Sequence, residues 1–253
     1  GIGYTGIRIR GSDPTRLNVT INGIPYNDPE SQGTFWVNLP DFASSVDNIQ
    51  VQRGVGTSTN GAGAFGGSLN IQTTTKQDSA YAELNNTFGS YQTVKNTINA
   101  GTGLINNKFS FDGRLSRIVS DGYVDRGSSM LRSYFLSGAY YGKKDLLRVN
   151  VFSGSEKTYQ AWNGVPENLL KTNRTFNGFS YDDQTDNYTQ DHYQFLYSHT
   201  FSDKISANSA LHYTYGRGYY EEFKEGQKLE NYGINPQIVG GTTIARSDLV
   251  RRR

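Results

Sequence analysis

The chain has 253 residues, 35% of them hydrophobic, with a mean hydropathy of −0.63 and a formal net charge of +2. No stretch approaches the ~20 consecutive apolar residues of a membrane-spanning helix, and so slight a charge gives no basis for nucleic-acid binding. The 18 tyrosines and 29 glycines suit a β-barrel, whose lipid face occupies only alternate positions of segments of about 10 residues. The absence of cysteine fits an oxidising envelope compartment without disulfides and a cytosolic setting equally.

Up to about residue 76 the pattern is that of a compact mixed α/β unit. Residues 7–10 and 17–21 are short strand candidates, joined by the turn-rich Ser12-Asp13-Pro14-Thr15. Asn22-Gly23 predicts a tight turn. Residues 40–46 predict a short helix with Asp41 in its first turn, and Ile49 and Val51 mark a further strand. Residues 51–72 then enclose a long loop carrying Gly54, Gly56, Gly61, Gly63, Gly66 and Gly67. Gly61, Gly63 and Gly66 satisfy the spacing of a dinucleotide fingerprint, but that chemistry needs a strand turning at once into a helix that holds the pyrophosphate. Here the loop leads into a strand near 68–73. With no lysine in it, the loop is no phosphate-cradling P-loop either.

From Asp78 onward the pattern is strand after strand. Leu147, Val149 and Val151 share one face against Arg148 and Asn150. Tyr193, Phe195, Tyr197 and Phe201 oppose Gln194, Ser198 and Thr200; Ile205, Ala207, Leu211, Tyr213 and Tyr215 oppose His212, Asn208 and Thr214. About seven such strands are expected, near 79–89, 93–104, 108–119, 131–141, 146–156, 190–201 and 205–216. Three connections, at 105–107, 142–145 and 202–204, are tight turns. Those near 120–130, 157–189 and 217–253 are long and rich in Asp, Gly, Asn and Tyr. This one-sidedness is that of outer-membrane barrels; a soluble sandwich has shorter strands without it. Tyr193, Tyr213 and Tyr215 at the long-loop end suit an interfacial girdle, or equally ordinary cross-strand aromatic pairing. On this assignment arginine at Val149 or Leu211 is disruptive, and arginine at Asn150 or Asn208 is tolerated.

Enzymatic chemistry finds little footing. His192, His199 and His212 form no H-E-x-x-H or Cys/His cluster, and there is no G-x-S-x-G elbow. Glu221 with Glu222, and Asp182 with Asp183, read as solvated loop charges, and there is no basic run beyond 251–253. No metal or cofactor is expected. The aromatics Tyr159, Trp162, Phe176, Phe179 and Tyr181 in the longest loop either grip a flat ligand or pack the loop against its neighbours.

The glycine-rich loop, together with the run TGIRIRGSDPTRLNVTINGIPYNDPESQGTFWVNLPDFASSV, resembles the plug domain of the TonB-dependent receptors, import gates of the Gram-negative outer membrane. The resemblance implies a plug at 1–76, its amino-terminal part missing, followed at 77–253 by the first strands of a transmembrane antiparallel up-and-down barrel that is roughly 22-stranded when complete. It implies a mainly β fold, transport rather than catalysis, and TonB with its inner-membrane energising complex as partner. The outer-membrane lipid and a small ligand of the iron-chelate kind are the other implied partners. Arg10-Gly11 and Arg53-Gly54 match the family's two Arg-Gly motifs, whose arginines are expected to pair with barrel glutamates beyond this chain. The motif 22–26 matches the turn before the apical plug loops, which places Tyr26, Asn27, Phe35 and Trp36 either toward substrate or in the core. A polysaccharide-importing receptor and a soluble β-rich glycan-binding module are the rival readings; the second would need another sheet to cover its apolar strand faces.

Overall fold

Leu17, Val19 and Ile21 are buried while Asn18 and Thr20 between them are half-buried, the period-2 pattern that makes β1 (Leu17–Ile21) a strand. The computed structural model describes residues 2–55, 65–73 and 76–253. At the end of β1, Asn22 and Gly23 both take positive φ (56° and 80°), the primed turn this dipeptide favours, and return the chain into β2 (Ile24–Pro25). β3 (Val46–Arg53) and β4 (Gly67–Thr73) complete a four-stranded sheet in the order β2-β1-β4-β3, with β1 and β4 parallel.

Two expectations in this unit are overturned. Residues 7–10 form no strand: Arg10 (φ 52°) and Gly11 (φ 76°) turn the chain, and Ser12 N–H donates back to the Ile9 carbonyl at 3.0 Å. In place of a helix over 40–46 there is a single 3-10 turn, Phe42–Ser45. Asp41 just before it is left-handed (φ 52°), a conformation no right-handed helix continues through.

The wall consists of β5 (Tyr81–Gly89), β6 (Thr93–Gly101), β7 (Phe109–Ser120), β8 (Ser129–Tyr141), β9 (Asp145–Tyr159), β10 (Thr185–Ser202) and β11 (Ile205–Lys228), each antiparallel to the next. A small hairpin, β12 (Gln237–Val239) with β13 (Thr242–Ile244), follows. An eighth wall strand, β14 (Arg246–Arg252), pairs with the far half of β11 where a loop was expected. There Glu221 and Glu222, read from sequence as solvated, pair with Arg252 and Arg251, residues of the supposed loop-end basic run.

The faces follow the alternation. Val149 and Leu211 point outward at 40% and 66% exposure, while Asn150, His192 and Gln194 are buried on the inner face. The inner face is not uniformly polar, however. Phe135 of β8 and Phe152 of β9 turn inward and join Val19, Ile21, Leu69 and Ile71 of the small sheet, with Leu39 and Phe42 from the turns between β2 and β3, in one core. The two units are thus packed as plug against wall, so closely that a Cβ on Gly154 would run into the Asn38 carbonyl oxygen.

Candidate functional site

The Asn22-Gly23 turn sets the floor of the site. Beyond β2, Tyr26 N–H still donates to the Val19 carbonyl (2.8 Å), and the Asn27 side chain then continues the strand edge. Its Oδ1 accepts Val19 N–H at 2.7 Å, and its Nδ2 donates to the carbonyls of Leu17 (2.7 Å) and Gln32 (2.9 Å). Asp28 closes the following loop by accepting the backbone N–H groups of Glu30 and Ser31 at 3.1 and 2.7 Å. Tyr26 is thereby held upright, its ring 6.0 Å from that of Trp36. Burial pushes its phenol pKa well above the ordinary value, so the hydroxyl keeps its proton and donates to the Phe35 carbonyl at 3.2 Å.

The inner faces of β9 to β11 form the wall of the site. The His192 ring lies flat on Phe152, centroids 4.6 Å apart, and tilts against Tyr26 at 5.7 Å. Its two nitrogens meet Thr214 Oγ1 (3.1 Å) and Gln190 Oε1 (3.2 Å). Gln194 pins the plug turn to the wall: its Oε1 accepts from Asn22 and Asn150, and its Nε2 donates to the Ile21 carbonyl. Toward the long-loop end, Tyr4 hydroxyl donates to Asp186 Oδ2 at 2.9 Å, and its ring meets Trp162 edge-on at 6.3 Å. Glu156, 5% exposed, accepts from Thr158 Oγ1 at 2.8 Å. Floor and wall enclose a cavity of about 900 Å³, with Tyr26 and Phe35 below and Glu156, Trp162, Tyr188 and His192 around it.

The sequence candidates separate on this geometry. Tyr26, Asn27 and Trp162 line the cavity, although the Asn27 amide is fully occupied within the plug. Trp36 lies behind Tyr26, its buried indole N–H without a partner among the described residues. Tyr159 is buried and donates to the Tyr181 carbonyl at 2.6 Å; Tyr181 stacks on Phe223 at 5.1 Å, and Phe179 packs edge-on against Trp162 at 6.0 Å. Of the loop aromatics proposed as ligand contacts, Trp162 alone reaches the cavity; Tyr159, Phe179 and Tyr181 secure the loop. His192, Glu156, Asp186 and Tyr188 were missed, although their even numbering on inner strand faces at the long-loop end was a usable signal. Tyr4 carried none.

Arg10 and Arg53 are exposed, and no described carboxylate pairs with either. Gly54 takes the positive φ (78°) that favours glycine, and a Cβ on Gly67 would meet the Gln52 carbonyl oxygen. Gly66 lies against Ser12; Gly56, Gly61 and Gly63 fall outside the described residues. One charge contact between plug and wall lies at Asp41. Its carboxylate receives Lys95 Nζ at 2.7 Å, Ser116 Oγ at 2.8 Å and Thr97 Oγ1 at 2.5 Å, with Arg114 Nη1 at 3.6 Å. Arg114 also reaches Ser45 and Ser133, and Ser133 donates to the Pro40 carbonyl.

A small mixed sheet seated on the inner face of an up-and-down wall is the arrangement of a plugged barrel, and residues 1–68 match the family model for the TonB-dependent Receptor Plug Domain. Residues 1–68 are thus similar to a TonB-dependent receptor plug. Among solved structures it resembles the ferric-catecholate import receptor Fiu of E. coli K12 in its closed form (TM-score 0.67, 17% identity, 98% of this chain and 35% of that one). It also resembles the siderophore receptor PiuA of Acinetobacter baumannii (0.66, 15%, 87% and 32%). A third likeness is to the ferric yersiniabactin uptake receptor FyuA of Yersinia pestis (0.63, 14%, 87% and 36%). At these identities the likeness is one of fold. The chain spans about a third of the length of these receptors. No curated protein sequence matches it.

Proposed function

We propose that this chain is the plug and first wall of an outer-membrane receptor that imports a scarce nutrient, an iron chelate, when TonB pulls on the plug. The observation that carries this reading is the shared cavity: its floor, Tyr26 and Phe35, belongs to the plug, and its sides, Tyr188, His192 and Trp162, to the wall. A solute seated there touches both units, so its binding and plug displacement are coupled. Aromatic faces with a few hydroxyl and imidazole groups suit a chelate with conjugated arms. The attachment of plug to wall through Asp41 and Gln194 is largely polar, and such contacts are exchanged for water at moderate cost when the plug moves.

Calorimetry on the complete, detergent-purified receptor tests this. Binding of an iron chelate more tightly than of a neutral oligosaccharide is expected, with energy-dependent uptake in cells. Tight glycan binding without chelate binding would move the assignment to polysaccharide import.

A further inference from the structure

The cavity between plug and wall is lined by carboxylates without a fixed cation to answer them. Among the described residues around it there is no lysine or arginine, whereas Asp28, Glu156 and Asp186 each bring an acid. Asp28 is occupied by the backbone N–H groups of its own loop. Glu156 of β9 lies opposite Tyr188 of β10, and Asp186 opposite Thr158, so the two acids are diagonal neighbours on the inner face. Glu156 is 5% exposed, yet its side chain is bonded only by the neutral Thr158 hydroxyl. Asp186 accepts only from the Tyr4 hydroxyl. No described lysine or arginine forms an ion pair with either acid. Carboxylates held out of water are ordinarily paired, and two of them side by side repel each other.

Aromatic rings surround this acid pair. Tyr4, bonded to Asp186, meets Trp162 edge-on at 6.3 Å, and Trp162 is braced by Tyr220 at 5.6 Å. A Cβ on Gly216 or Gly218 would collide with the Tyr188 side chain, so bare backbone on β11 leaves room for that ring beside Glu156. Carboxylates set among aromatic rings recognise an organic ammonium, through charge-assisted hydrogen bonds and cation–π attraction together. A metal ion fits less well, since it takes more oxygen ligands than this pair supplies, and no group of three or more His, Asp or Glu among the described residues could hold one.

We infer that this corner of the cavity takes a free ammonium borne by the ligand, so that the imported chelate is neutral or cationic with an amine arm. The inference rests on the iron-chelate reading above and narrows it. The ammonium sits between Glu156 and Asp186 and offsets their repulsion, with Tyr4 and Trp162 against its methylene stem. A ferric tris-catecholate, which is a trianion, would instead bring negative charge against two carboxylates.

Calorimetry on the complete, detergent-purified receptor tests this with three probes. They are ferrioxamine B, a ferric trihydroxamate ending in a free ammonium; its N-acetylated form, with the same iron centre and no charge; and ferric enterobactin, a tris-catecholate. Ferrioxamine B is expected to bind about tenfold more tightly than its acetylated form, the contribution of one hydrogen bond to a charged group, and ferric enterobactin most weakly. Glu156→Gln with Asp186→Asn should bring the two trihydroxamates to equal affinity, with the barrel checked by heat-modifiability on gels. The wild-type ratio decides even where that variant fails to fold. Equal binding of the two trihydroxamates by the wild type, or tighter binding of ferric enterobactin, would overturn the ammonium site and leave iron-chelate import standing. A ratio unchanged in the folded double variant would overturn the assignment to Glu156 and Asp186. A receptor that binds none of the three would overturn the iron-chelate reading itself, and the site with it.

Discussion

Asp41 of the plug and Lys95 of the wall meet at 2.7 Å, and the same carboxylate faces Arg114 at 3.6 Å. At this contact the plug supplies the anion and the wall the cations, the reverse of the polarity expected from Arg10 and Arg53. Arg114 is 3% exposed, and breaking a buried pair by removing one partner costs about 3–5 kcal/mol because the other charge is left behind. Asp41→Ala should loosen the plug by that order while the wall still assembles. Limited proteolysis of the plug, run beside heat-modifiability of the barrel, reads the two separately; a plug as resistant as the wild type's would refute the role given to Asp41.

The same contact sets a pH dependence. Burial raises the Asp41 pKa, but bonds from Lys95, Thr97, Ser116 and Ser44 together outweigh it and leave it below the ordinary 3.8. A folded-state pKa below the unfolded one means the contribution is complete above about pH 3.8 and is lost as the pH falls through the folded value. Plug attachment should stay level from neutral to mildly acidic pH and weaken only below that point. Asp41→Asn should flatten this acid limb, and an unchanged limb in that variant would assign it to other carboxylates.

Gly154 makes the packing of plug on wall testable without touching a charge. A side chain there meets Asn38 and Pro40 of the plug, and overpacking of such a contact typically costs about 1–3 kcal/mol. Gly154→Val should displace the plug segment 38–40 and lower the denaturant midpoint of plug release, with the barrel still heat-modifiable. Wild-type plug release would mean that the plug does not sit on β9 as described.

What was legible in the sequence was what alternation reports. Leu17–Ile21 and the wall strands through the start of β11 carry one apolar face, and they are strands. Beyond Gly216 the alternation fades, because β11 rises past the apolar band with polar residues on both sides, so its extension to Lys228 and its partner β14 left no period to read. Positive-φ turns at Arg10 and Asp41 were hidden for another reason: neither residue is glycine, the residue type whose presence signals such a backbone. The inward aromatics Phe135 and Phe152 are likewise explained only by the plug that covers them.

That covering corrects the expected contrast between strand faces. Arginine at Val149 or Leu211 should still impair assembly, at roughly 2–4 kcal/mol for a cation near the lipid midplane. Asn150, however, is 0% exposed and donates to Gln194 at 3.2 Å, the residue that holds the plug turn. Asn150→Arg should thus disturb the plug, whereas Asn208→Arg, at an exposed position, should be tolerated. Heat-modifiability and plug proteolysis across the four variants check this, and equal behaviour of Val149→Arg and Asn208→Arg would refute the face assignment.

The ligand cavity gives the last contrast, between aromatics that line it and aromatics that brace the loop above it. Removing residues 160–181 whole is too blunt, because Gln160 donates to the Glu221 carbonyl and Asn177 to the carbonyls of Asp125 and Gln160, tying the loop to its neighbours. Point changes are cleaner. Trp162→Ala and Tyr26→Ala each remove a cavity face, and a stacked aromatic is worth about 0.5–1.5 kcal/mol beyond its buried area, so each should weaken chelate binding by several-fold or more. Tyr181→Ala removes a ring that stacks on Phe223 outside the cavity, and should lower loop order while leaving affinity nearly unchanged. Calorimetry of the three variants decides it: if Tyr181→Ala weakens binding as much as Trp162→Ala, the ligand is gripped by the loop and not by the plug-floored cavity.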